Sequence, residues 1–143
     1  MLILDGGTGR QLHRIGAPFG QPEWSVLALI EKPDFVLKVH QEFIAAGADI
    51  ITTNTYAIVP YHIGEKRFND DASKLLDLAV KIALSAKTSS NKNVIIAGSC
   101  VNCSKTNPKS EGNMMLVSGS TGASGINWHQ EYNFNEGTGE GYS

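Results

Sequence analysis

Cysteine is scarce in this chain: 143 residues hold two thiols, Cys100 and Cys103. That is too few for a disulfide framework, so a reducing, cytoplasmic setting is expected. Charge of one sign is also lacking, since 12 Lys and Arg face 14 Asp and Glu for a net charge of −2. No Lys/Arg cluster exists that could track phosphates, so nucleic acid is not an expected partner. Long apolar runs are missing as well. Nothing approaches the roughly 18–20 residues of a membrane span, and no membrane partner is expected. Asp5 interrupts the N-terminal apolar run after Leu4, so a secretory signal is not expected.

What remains is the composition of one ordinary globular domain, 41% hydrophobic and 18% charged. Three short aliphatic runs, "LIL" (2–4), "DIITT" (49–53) and "VIIAG" (94–98), lack polar alternation. That pattern belongs to strands covered on both faces of a parallel sheet. Helices are expected between them. "PDFVLKVHQEFIAAG" (33–47) carries Pro33 for a first turn, Asp34 near the positive end of the dipole and Gly47 as a stop. Val36, Val39, Phe43 and Ala46 make its apolar stripe, and His40 is placed opposite or beside that stripe as a structural residue. A second helix is expected from about Asp71 to Lys87, striped by Leu75, Leu78, Ala79, Ile82 and Ala86 and capped by Asp70 or Asp71.

The order is β-loop-α-β-loop-α-β, an α/β fold with parallel strands and right-handed crossovers. Its surplus length follows the strands, at residues 5–31 and 54–70. That is the face on which parallel α/β proteins build their sites. Residues 1–99 form the expected domain. From 100 to 143 the chain turns Gly-, Ser- and Asn-rich, and a poorly ordered tail is expected. A closed (β/α)₈ barrel needs about 250 residues, so this chain supplies less than half of one.

The first strand runs into "DGGTG" (5–9), which fits neither G-x-x-x-x-G-K-S/T nor G-x-G-x-x-G. A carboxylate beside uncovered N–H groups suits a zwitterion, with Asp5 taking an ammonium and the amides of Gly6 and Gly7 a carboxylate. A tight turn capped by Asp5 is the competing account. "TTNTY" (52–56) ends the second strand on the same face, and Thr53, Asn54 and Tyr56 add neutral polar groups and a ring. A Thr-rich strand end turned by Asn54 is its plainer account. Trp24, in "PEWS" (22–25), is read as a packing anchor before a ligand contact. "CVNC" (100–103) supplies two ligands where structural zinc takes four, and no helix follows it for a redox motif. "MMLVSGSTGASG" (114–125) imitates a dinucleotide turn, but only 18 residues follow, too few for the rest of that fold.

Together, "LDGGTGRQL", "PEWS", "HQEFIAAGADIITTNTY" and "HIGEKRF" resemble the N-terminal part of the homocysteine S-methyltransferase family over residues 2–99 or so. The resemblance implies the N-terminal portion of a (β/α)₈ TIM barrel, an incomplete one of about three parallel strands with intervening helices. It also implies zinc-dependent methyl transfer to the thiol of homocysteine, giving methionine. The branch using S-methylmethionine or S-adenosylmethionine as donor is the most similar. By resemblance, Asp5, Gly6 and Gly7 hold the amino-acid end of homocysteine, and Thr53, Asn54 and Tyr56 line the same pocket.

The family's zinc is held by one cysteine of a G-V/I-N-C-type motif and two of a G-G-C-C-G motif. "VNCS" (101–104) is similar to the first, with Cys103 at the ligand position, and chance similarity is the competing account. No Cys-Cys pair exists in this chain. The expectation is therefore a truncated chain, inactive alone. The alternative is a non-catalytic isoform or partner-binding half-barrel, with self-association through open sheet edges. An aldolase-type enzyme is disfavoured, since no lysine or metal set sits at a strand end.

Overall fold

The computed structural model describes residues 1–100 and, as a strand, residues 114–118. Helix α1 (Thr8–Arg14) follows the glycine turn, and α2 (Val26–Glu31) and α3 (Pro33–Ala45) follow in close succession. Strand β1 (Ile50–Thr52) leads through the short α4 (Pro60–Ile63) to α5 (Glu65–Ser90). Strands β2 (Ile95–Cys100) and β3 (Met114–Ser118) complete the described chain. The sheet is parallel, ordered β1-β2-β3, with Ile51 opposite Ile96 and Ala97 opposite Met115. The expected α/β architecture with a parallel sheet is what forms.

The expected first strand is smaller than its aliphatic run suggested. Leu4 makes a single parallel bridge to Ile50, while Leu2 and Ile3 are exposed. Three aliphatics suffice for burial only where both faces and the outer edge are covered, and this segment stands at the sheet's edge. Its place is nonetheless fixed. The Ile3 carbonyl accepts from the N–H groups of Asp49 and Ile50 at 2.7 and 3.1 Å, and Asp5 N–H donates to the Ile50 carbonyl at 2.8 Å.

Helix α3 begins at Pro33 as expected and ends two residues before Gly47, whose φ of 107° only glycine adopts without strain. Lys92 Nζ donates to the Ile44 carbonyl at 2.9 Å, satisfying one carbonyl of the helix's last turn. The buried stripe is Val36, Val39, His40 and Ile44, so His40 lies within it and not opposite or beside it; Ala46 is exposed. Helix α5 is longer than its apolar periodicity showed. It starts at Glu65, after Gly64, and no acidic cap is used. Asp70 and Asp71 lie inside it, paired with Lys66 and Lys74 on its solvent face at 2.6 and 3.2 Å. These i,i+4 and i,i+3 pairs let a polar stretch continue as helix, which a reading of apolar spacing alone misses.

Leu12, Val26, Leu29, Val36 and Val39 pack the first three helices together with Leu75, Ala79 and Ile82 of α5. A second layer joins α3 and α5 to the sheet through Ile44, Ile51, Ala83, Ala86, Val94 and Ile96. Successive strand residues alternate faces, so Ile50 and Ala97 pack with Leu4 and Ile95 on the opposite side. Both long helices therefore cover one face of the sheet. No described helix is long and apolar enough to cross a membrane.

Ile51 is fully buried between that helical layer and the sheet. Ile51→Ala is expected to lower the unfolding free energy by about 2–5 kcal/mol, read from the urea midpoint. Leu84→Ala, at a half-exposed position of α5, should change it by well under 1 kcal/mol.

Candidate functional site

Asp5 ends the edge segment and reaches across to the end of β1. Its Oδ2 accepts from Thr52 N–H at 2.7 Å and from the Thr52 hydroxyl at 3.0 Å. Burial pushes the carboxyl up from 3.8 to about 6, while the hydrogen bonds from Thr52 pull the other way. Beyond Thr52, the chain turns its polar residues inward. Thr53 is buried, its N–H donating to the Ala97 carbonyl at 2.8 Å and its hydroxyl accepting from Ser99 N–H at 3.3 Å. The Thr55 hydroxyl donates to the Ser99 carbonyl, so two threonines stitch the end of β1 to that of β2.

Asn54 is also buried, and its Nδ2 donates to the Ser25 carbonyl at 2.9 Å. That bond draws the loop before α2 over the strand ends. Tyr56 is half-buried, and burial raises its phenol above the usual value.

These segments enclose an open pocket of about 270 Å³. Of the residues expected from sequence, Gly6, Gly7, Thr53, Asn54 and Tyr56 line it. Asp5 is not among the lining residues; it precedes the glycine pair in the chain and its carboxylate is tied to Thr52, itself a lining residue. Trp24, read from sequence as a packing anchor, stands in the pocket wall at 38% exposure. Gly9, Phe19 and Ser99 also line the pocket and were not anticipated. Glycine at 9 gave a legible hint as a third bare position in "DGGTG", but Phe19 carries no local signal and is brought in by the turn around Gly20.

Cys103, the expected metal ligand, lies outside the described residues. Among the described residues, no three His, Cys, Asp or Glu side chains stand close enough together to hold a metal ion.

The homocysteine S-methyltransferase family profile matches residues 2–133. The chain belongs to that family. It is 35% identical over 86 residues to homocysteine S-methyltransferase 1 of Brassica oleracea var. italica, covering 59% of this chain and 26% of the relative. A selenocysteine methyltransferase of Astragalus bisulcatus is 35% identical over 86 residues, with 59% and 25% covered. Among solved structures, the metallated form of the Escherichia coli homocysteine methyltransferase MmuM superposes with a TM-score of 0.60. That match, 24% identical, covers 70% of this chain and 37% of the other and speaks for the fold. The chain thus spans about a quarter of the length of the curated family members it matches.

On α3, His40 is fully buried, and among the described residues neither of its ring nitrogens has a hydrogen-bond partner. Desolvation lowers its pKa from 6.5 to about 4, so the ring is neutral at pH 7. An unpaired buried polar group costs stability.

His40 and Asp5 pull stability in opposite directions between pH 4 and 6.5. Unfolding lets His40 take up a proton in that window, so its contribution falls as pH falls. Asp5 releases a proton on unfolding in the same window, so its contribution falls as pH rises. Urea midpoints of the unaltered chain should vary little across this window. Asp5→Asn should leave a stability that declines on acidification, and His40→Leu one that improves. Parallel profiles for all three would show that neither group titrates as its burial dictates.

Proposed function

We propose that the described residues form the amino-acid-holding part of a homocysteine methyltransferase site. The observation that carries this is the pocket itself, which brings the glycine turn and the polar end of β1 onto one surface with Trp24 and Tyr56. With a pKa of about 6, Asp5 is mostly ionised at pH 7 and suits the substrate ammonium. Gly6 and Gly7 present bare backbone to the pocket, where a carboxylate has N–H groups to meet. Thr53 and Asn54 are committed to internal hydrogen bonds, so their part is to fix the wall more than to bind. Tyr56 supplies a partly desolvated hydroxyl at the rim.

In this reading the fold is the opening portion of a (β/α)₈ barrel, supported by the parallel order, by helices on one sheet face and by the likeness to MmuM. The acceptor is homocysteine and the donor a sulfonium, S-methylmethionine or S-adenosylmethionine, in a cytoplasmic setting. Zinc, implied by the family resemblance, would lower the acceptor thiol's pKa. The described residues do not fit it, and Cys103 is the one residue of this chain assigned to it. Without an adjacent Cys-Cys pair, this chain alone transfers no methyl group. Its exposed Leu2 and Ile3, beside the Leu4 edge, give two chains a surface on which to associate.

Calorimetric titration with L-homocysteine tests the acceptor site. Asp5→Ala should weaken binding roughly ten- to a hundredfold, since a charged hydrogen bond is worth about 1.5–3 kcal/mol. Asp5→Asn keeps an acceptor for Thr52 but removes the charge, and it should lose nearly as much. Full retention by the Asn variant would assign Asp5 to the turn alone. Incubation with zinc, homocysteine and S-methylmethionine should yield no methionine by mass spectrometry; product formation would overturn the assignment of inactivity.

A further inference from the structure

One wall of the pocket is built from aromatic rings on a bare piece of backbone. A Cβ added at Gly9 would lie 3.1 Å from Phe19 Cε2 and 3.6 Å from its Cζ, so the Phe19 ring rests where Gly9 has no side chain. On its other sides, Phe19 meets the Trp24 ring edge-on at a centroid separation of 5.8 Å, and His13 at 5.6 Å. Such edge-to-face pairs hold rings in place beyond simple burial.

The backbone under the Trp24 ring is strained. Its φ of 51° lies in the left-handed region, where a bulky residue costs on the order of 1–3 kcal/mol. Two bonds hold it there: Trp24 N–H donates to the Gly20 carbonyl at 2.6 Å, and Asn54 ties the Ser25 carbonyl to the end of β1. Backbone and ring are therefore fixed separately, one from Asn54 and the other from Phe19. Strain kept at a pocket wall needs a use.

We propose that Phe19 is a specificity-determining residue, holding Trp24 as a rigid wall that limits the bulk of the amino-acid side chain entering the pocket. Asn54 is a positioning residue for the same wall, acting through Ser25. The proposal rests on the amino-acid reading of the pocket given above and adds a selection rule to it. An unbranched thiol side chain passes the wall; one branched beside the sulfur is turned away. Hydrophobic walls discriminate a methyl or methylene by roughly 10- to 200-fold, which sets the scale.

The test compares binding of L-homocysteine with that of L-penicillamine, a cysteine whose β-carbon carries two methyl groups, and L-cysteine accounts for the one-methylene difference in length. Trp128→Phe serves as the background, leaving Trp24 as the single indole of the chain's two tryptophans, and Trp24 fluorescence reports binding. Phe19→Ala should reduce the homocysteine-to-penicillamine preference roughly tenfold or more, and Asn54→Ala should reduce it in the same sense. Phe19→Tyr should keep the preference. Gly9→Ala should weaken homocysteine binding by forcing the Phe19 ring outward, and adding Phe19→Leu should restore it, a non-additive pair.

Equal losses for both ligands in Phe19→Ala, or additivity in the Gly9/Phe19 pair, would reduce Phe19 to a packing residue and overturn the proposal alone. No binding of either amino acid by the background chain would overturn the acceptor reading and this proposal with it.

Discussion

The bond between Asp5 and Thr52 is the constraint on which the rest of the site depends. It spans 47 positions of sequence and, beyond the backbone bonds of Ile3 and Asp5 to Asp49 and Ile50, carries the edge segment's attachment to the end of β1. The glycine turn follows directly from Asp5 and the polar run follows directly from Thr52. That carboxylate therefore joins the two halves of the pocket at the point where both begin. The same bond explains why a partly desolvated acid is tolerated: the ionised form is costly in that place, but it receives two donors from one threonine.

The helices legible in the sequence are those whose burial is one-sided and regular. α3 announced itself by Pro33, Asp34 and Gly47, and the apolar positions of α5 by Leu75, Ala79 and Ile82. β1 and β2 showed as aliphatic runs because they carry packed residues on both faces. The failures have a common cause. Leu2 to Leu4 has strand composition but an open edge, and composition does not report the edge. The first turns of α5 are polar and exposed, and no apolar period marks them. The stripe drawn through Val36, Val39, Phe43 and Ala46 leaves His40 opposite or beside it, and the fold buries His40 with Val36, Val39 and Ile44.

The site divides along the same line. Gly6, Gly7, Thr53, Asn54 and Tyr56 were legible because they sit at strand ends, where the parallel fold gathers its loops. Phe19 and Trp24 reach the pocket through a loop whose path is set by tertiary bonds, from Asn54 to Ser25 and from Trp24 to Gly20. Nothing within a few residues of Phe19 encodes that path. Asn54 itself was assigned by resemblance to ligand binding, and its amide is engaged by the loop.

Helix α5 has 26 residues, and at about 1.5 Å per residue it extends roughly 39 Å, against roughly 20 Å for the six residues of β2. A helix twice as tall as the strand it covers must overhang the sheet, and here the overhang is used. Arg67 lies 3.8 Å from Glu23, and His62, in the short helix just before α5, lies 2.9 Å from the Pro22 carbonyl. The polar first turns of α5 thus stand as a mast beside the strand ends, with the Trp24 loop moored to it from outside while Asn54 moors it from within. The loop that carries Trp24 is thus held by anchors on two different elements, from within by Asn54 and from outside by the first turns of α5 and the helix before it.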